Sequence, residues 1–428
     1  MADTILIIPR DPLIFRDSRP FDSSFSTRIH VHTWPFPSVT AGALRTYAGK
    51  RKTWGFSNKE KEKDVRHIDI RGPLLYRKNS SSPTLYVPAP RDAVVVERDG
   101  KEELLQLSPQ PLKSGKGTDL PFAMQPLVLP ESEYTPKNGS KYAWWPLSLV
   151  KKWLCDANTV VAAALKEEKC LEELPLDERT HVAINPATGA AVPEQLFSTR
   201  GIDFMQGKTC ADGDMPFQLA LRVDRTNGID FSGAIPLGAE RRLAELSVLP
   251  PNEAKKDLWN CPDEIKAFLK RANLKRAKYI RLQLATPAIF NGYQSEENGT
   301  GYTISGSGWY PDWLAPETEN EPLVGTIPKT SIKVKLIAAA VDRFVPISGY
   351  AYGRKPGIKS TKKMVPAGSV YFFEVLRGET EELTQLWLHP ICGQSYYDPR
   401  TKQPNSSLGA DGFGLALWGV WQPKDNEG

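Results

Sequence analysis

Phe15–Phe21 reads F-R-D-S-R-P-F, and Pro37–Arg45 reads P-S-V-T-A-G-A-L-R, with a polar loop between them. Ahead of this stretch, Thr4–Pro9 (TILIIP) is a short apolar run with β-branched residues, stopped by a proline. That pattern predicts a buried strand. Pro37-Ser38 is a helix start, with the Ser38 hydroxyl as the N-cap candidate. On that helix Val39, Ala43, Leu44 and Tyr47 are expected to share one face, with Arg45 pointing elsewhere. The order is therefore strand, then a loop carrying Arg16, Asp17 and Arg19, then a helix with Ala41 and Gly42 near its start. Unpaired N–H groups at a helix start aim at whatever lies in front of them, and small residues there let another backbone come close. Two readings follow. One is a phosphate seat beside the arginines. The other is an ordinary strand–loop–helix whose arginines pair with Asp11, Asp17 and Asp22.

A chain of 428 residues is too long for one small core and implies two domains. No apolar run is long enough for a membrane helix, and the N-terminus lacks a signal-peptide plan, so no membrane partner and a cytoplasmic location are expected. The five cysteines are scattered, without a C-x-x-C pair, which points away from zinc and disulfide frameworks. The five histidines form no metal-binding or nucleophile motif, so no metal, cofactor or catalytic residue is assigned. A net charge of +5 says little by itself; local clusters of charge say more. Many prolines and glycines among frequent aromatics favour short strands and long structured loops.

Four further segments carry signals. Glu178–Phe204 has two extended runs around Asn185-Pro186-Ala187-Thr188-Gly189, a turn sequence, and predicts a projecting β-hairpin with His181 near its base and Leu196-Phe197 on the return strand. Phe231–Leu246 places Gly238 ahead of Arg241 and Arg242, a pair suited to phosphates or to surface ion pairs. Ile347–Lys363 holds Tyr350 and Tyr352 followed by Arg354, Lys355, Lys359, Lys362 and Lys363, with no acid. Cations for phosphates interleaved with rings for bases are what a single-stranded nucleic acid needs, although a solvated basic loop has the same composition. Near the end, Gly412-Phe413-Gly414 precedes the apolar run Leu415–Gly419 and fits neither the P-loop nor the dinucleotide pattern. Elsewhere, residues 157–174 are expected to be helical, and Tyr279–Ala285 to be a strand of a second sheet.

Together these segments resemble, in order, a RAMP-superfamily protein: the third, guide-RNA 5′-tag-binding subunit of the type III-B CRISPR Cmr effector complex. F-R-D-S-R-P-F is similar to the family's F-R-D-G-R-P-F, with Ser18 in place of glycine. The Gly238–Arg242 element resembles an L-G-G-E-R-R-like segment, with Ala239 replacing a glycine. The resemblance implies a hairpin thumb that packs near guide RNA and a C-terminal glycine-rich loop whose backbone lies against phosphates.

The fold expected is α+β: two ferredoxin-like (RRM-related) modules with long insertions, over residues 1–215 and 216–428. The resemblance implies a non-catalytic subunit that holds the crRNA 5′ tag and bridges the large polymerase-like Cmr subunit to the adjacent backbone subunit, with target RNA nearby. The RNA-binding candidates are Arg16, Arg19, Ser38, Gly42, Arg45, His181, Phe197, Arg241, Arg242, Tyr350, Tyr352, Arg354, Lys355, Lys359, Gly412, Phe413 and Gly414. The alternatives are the equivalent type III-A subunit, or a RAMP endoribonuclease that processes precursor crRNA with His181 or His32 as general base or acid.

Overall fold

A computed structural model describes residues 3–17, 30–51, 65, 68–78, 83–112, 115–129, 135–136, 139–205, 216–224, 228–250, 258–275, 278–290, 308–316, 318, 321–351, 357–392, 397–398, 403–404 and 407–423. It is a mixed α/β fold, mostly strands with few helices. The chain divides into two compact units. The first is Met1–Thr84 with Leu174–Lys256 and Ile347–Thr361; the second is Leu85–Glu173 with Asp257–Pro346 and Lys362–Gly428.

In the first unit, β1 (Asp3–Pro9) leads to helix α1 (Pro37–Arg51) and β2 (Asp69–Lys78). The hairpin β3 (Leu176–Ile184) and β4 (Ala191–Ile202) follows, then β5 (Gln218–Asp224), β6 (Gly233–Pro236) and β7 (Leu243–Val248). Five of these strands lie side by side in the order β6-β7-β1-β5-β2, each pair antiparallel. Ile5 pairs with Leu221 on one side and Val248 on the other, so β1 is central, and Ile5, Leu6 and Ile7 are all buried. That explains why β1 is continuously apolar rather than alternating. Helix α1 buries Pro37, Thr40, Ala41, Leu44, Ala48 and Gly49. Of the four residues expected to share its inner face, only Leu44 is buried; Val39, Ala43 and Tyr47 are half-buried. The helix packs a stripe of small residues, which a hydrophobic pattern search passes over.

In the second unit, helices α2 (Leu147–Cys155) and α3 (Asp263–Ala272) precede β8 (Lys278–Leu284) and β9 (Lys333–Ala340). Next along the chain, β10 (Val345–Ala351) and β11 (Gly357–Met364) pair with each other, most of their length falling in the first unit's last segment. Strands β12 (Val370–Arg377) and β13 (Leu415–Val420) then join the second unit's sheet. Its order β13-β8-β12-β9 is antiparallel throughout. Numbered along the chain, these four of the sheet's seven strands lie 4-1-3-2, as do β1, β2, β5 and β7 of the first. Buried Trp145, just ahead of α2, and Trp153, on it, meet edge-on, 5.6 Å between centroids.

Two expectations need correction. A single division near residue 215 would separate β5 from β1 and β2, the strands on either side of it; each unit is instead assembled from three segments. Residues 157–174 are not one helix. A 3-10 turn spans Ala157–Thr159, an α-helical turn and a half spans Ala162–Glu167, and Lys169 takes a left-handed φ of 56° that ends it.

Candidate nucleic-acid interface

The loop after β1 leaves and returns as a short ladder. Arg16 bridges Val31, the Asp17 N–H donates to the His30 carbonyl (3.1 Å), and the His32 N–H to the Phe15 carbonyl (2.8 Å). Arg16 is exposed on this ladder, whereas Arg19 lies outside the described residues. Helix α1 begins at Pro37, so Ser38 sits inside the first turn rather than at the cap, with proline holding the first position instead. Gly42 is exposed, and a Cβ built on it would meet nothing within 4 Å. Arg45 serves the fold. Its Nε and Nη2 donate to the Ile68 carbonyl at 3.3 and 2.9 Å, tying α1 to the approach to β2. Arg16 and Gly42 thus stay on the surface, while Arg45 is held inside the unit's own hydrogen bonding.

His32 stacks at a tilt on Phe36, 4.3 Å between centroids. Its burial pushes the imidazole pKa down, partly opposed by Asp17. The folded protein therefore takes up this proton less readily than the unfolded chain. Stability from this group is present above pH 6.5, the unperturbed value, and is lost as pH falls below it. We expect the melting temperature to drop between pH 7.5 and about 5.5, and His32→Asn to flatten that drop. An unchanged slope in the variant would assign it to other groups.

Between β6 and β7 the chain makes a tight left-handed turn. Gly238 has φ 83°, and its Cβ would lie 2.5 Å from the Ile14 carbonyl oxygen, so only glycine fits. Glu240 and Arg241 take φ of 57° and 51°. The turn closes through Ala239 N–H to Ile14 O (2.7 Å) and Leu237 N–H to Arg242 O (2.9 Å). It presents Arg241 outward and leaves Arg242 half-buried.

Strands β3 and β4 form a two-stranded sheet of their own. The turn is closed by Asn185 N–H to Ala190 O and Gly189 N–H to Asn185 O, both 2.8 Å, with Gly189 left-handed at φ 67°. His181 pairs across the hairpin with Phe197; their rings stack at 5.1 Å and 18°, and His181 Nε2 is 2.9 Å from Thr199 Oγ1. The imidazole is thus a held side chain on one face. The neighbouring register pair, Val182 and Leu196, lies on the other face with exposures of 44% and 57%.

The C-terminal glycine segment faces inward. Phe413 is buried, and the Gly412 carbonyl accepts from Thr286 Oγ1 (2.7 Å). Gly414 has φ 68°, donates to the Pro287 carbonyl (2.8 Å), and would bring a Cβ to 2.7 Å from Cys392 Sγ. The candidates Phe413 and Gly414 are thus core positions of the chain: the ring fills the second unit's interior, and the glycine fits a close contact within the chain itself.

Of the basic segment, Tyr352, Arg354 and Lys355 lie outside the described residues, while Tyr350 and Lys359 fall in β10 and β11. Just outside that segment, Phe344 is exposed, and the Lys363 ammonium sits 5.0 Å from its ring centroid. Phe344 precedes the run of cations by ten residues, so composition alone does not single it out. Among the described residues no group of three His, Cys, Asp or Glu could hold a metal ion, and no helix is long and apolar enough to cross a membrane.

The family described as CRISPR-associated protein (Cas_Cmr3) matches residues 5–421, nearly the whole chain. The chain belongs to this Cmr3 family. Among solved structures, it is similar to a chain in a cryo-EM structure of the Type III-B Cmr-beta bound to cognate target RNA, at 13% identity, covering 86% of both chains with a TM-score of 0.39. A chain of the Csm3-Csm4 subcomplex of the type III-A CRISPR-Cas interference complex is similar at 9% identity, with 86% of this chain and 92% of that one covered and a TM-score of 0.31. No curated protein matches.

Proposed function

We propose that this Cmr3-family chain is a non-catalytic RNA-binding subunit of a type III-B CRISPR ribonucleoprotein. In this reading it holds the 5′ tag of the guide RNA and bridges the large polymerase-like subunit to the adjacent backbone subunit, with target RNA nearby. The observation that carries the reading is the family match over residues 5–421. The repeated 4-1-3-2 strand order supports two ferredoxin-like modules, although in the first unit β6, rather than a helix, stands in the connection from β5 to β7, and among the described residues of the second unit short strands, rather than a helix, stand between β8 and β9. The surface supports RNA contact at Arg16, the open helix start at Gly42, Arg241 and the hairpin stack His181–Phe197. Single-stranded RNA is recognised in this way, by phosphates, shape and unstacked bases.

The test is binding of a guide RNA with and without its 5′ tag across a salt series. The parent protein should prefer the tagged RNA. Neutralising Arg354, Lys355 and Lys359 together should weaken binding and flatten the dependence on salt, by about 0.7 in slope for each phosphate no longer neutralised. Equal affinity for both RNAs would remove tag recognition. Metal-independent cleavage of repeat-containing precursor RNA that disappears in His181→Ala would replace the binding role with an endoribonuclease.

A further inference from the structure

We propose that Phe344 is a base-stacking platform for single-stranded RNA, served by Lys363 and Arg343. The inference deepens the RNA-binding reading and rests on it. Phe344 is 54% exposed, in the segment that leads into β10, and a large aromatic ring at such exposure has no role in the core. Lys363, near the end of β11, places its ammonium against that ring. One face of the ring is thus occupied by a cation, and a planar base can use the exposed remainder.

The ring borders a cavity of about 460 Å³, also lined by Met124, Trp309, Arg343, Lys363 and Val365. The size suits a small planar ligand. Its walls combine apolar side chains, two aromatic rings and two cations. The acid in the lining, Asp342, is paired with Arg91 at 3.1 Å, so its charge is largely answered within the protein.

A base on an aromatic ring, with cations at hand for the flanking phosphates, is the recurring arrangement for single strands, and cation–π contact reinforces it. Charge along the sequence favours a polyanion over an apolar peptide. From Arg343 to Lys363 there are six basic residues and no acidic one. A peptide occupant would instead be expected to find a neutral or mixed rim.

The experiment uses the full chain and a tagged guide RNA carrying 2-aminopurine at successive tag positions. Phe344→Leu should lower affinity roughly 5- to 150-fold, the cost of losing one stacked base, and leave the salt slope unchanged. Phe344→Trp should restore affinity and quench 2-aminopurine at one position. Lys363→Gln should weaken binding and lower the slope by about 0.7. Because Phe344 is exposed, its variants should melt at the parent temperature. Parental affinity in Phe344→Leu, with RNA still bound, overturns the platform and leaves the RNA-binding reading standing. A parent protein that binds no RNA overturns both. Binding of a peptide or protein partner that is lost in Phe344→Leu, while RNA affinity is untouched, assigns the surface to protein docking instead.

Discussion

Asp92→Ala is expected to destabilise the second unit by about 3–5 kcal/mol, because it strands a charge in the interior. Asp92 is fully buried, and Arg281, on β8, is 1% exposed. The Asp92 carboxylate accepts from Arg281 Nη1 (2.8 Å), Gln106 Nε2 (3.0 Å) and Trp153 Nε1 (2.9 Å). Burial pushes the Arg281 pKa down, and the Asp92 charge is the main force holding it up. Without the carboxylate, three donors lose their acceptor and the guanidinium loses its ion-pair partner, which costs far more than the pair contributes over an apolar pair. The joint replacement Asp92→Leu with Arg281→Met should therefore recover most of the loss. Denaturant midpoints of the two single variants and the double variant give the coupling directly. An Asp92→Ala midpoint within about 1 kcal/mol of the parent would mean that water reaches the site and solvates the guanidinium.

This pair also marks where sequence reading stops. The run Tyr279–Ala285 alternates, and the strand is present as β8; but alternation predicts that Arg281 and Gln283 face solvent. They are buried, because Asp92, Pro88 and Trp153 come from residues 85–173 to cover that face, with Gln283 Nε2 donating to the Pro88 carbonyl at 3.0 Å. A local pattern contains no record of a partner 189 positions away, and for the same reason the three-segment assembly of each unit was not legible. Signals fixed by a few adjacent residues read well. The Thr4–Pro9 strand and the hairpin around Asn185–Gly189 both form where their residue types require. Among the candidate site residues, surface charge was easier to place than glycine. Arg16 and Arg241 are exposed as expected, whereas Arg45 reads as one more surface cation and is held by the Ile68 carbonyl. A glycine in a sequence says that space or a left-handed φ is needed, without saying whose atoms take the space.

Gly42 and Gly414 separate those two meanings, and their variants should move in opposite directions. Gly414→Val is expected to cost about 2–5 kcal/mol, the sum of a left-handed φ for a β-branched residue and overpacking in the core. The steric part has a named origin: a Cβ at position 414 would lie 2.7 Å from Cys392 Sγ and 3.2 Å from its Cβ. Gly414→Ala with Cys392→Ala should therefore recover part of the loss, while the cost of φ 68° persists. Gly42 is helical and exposed, with open space around its missing side chain. Gly42→Ala should stabilise the isolated protein by about 0.5–1 kcal/mol, through helix propensity and a less free unfolded chain. If guide RNA lies against the start of α1, the same methyl group stands between the two backbones, and tag affinity should fall even as the melting temperature rises. Stability and tag affinity measured on both variants separate the two roles. A Gly414→Val protein that melts with the parent yet loses the tag would return that glycine to the RNA surface, and a Gly42→Ala protein with parental tag affinity would remove the helix start from it.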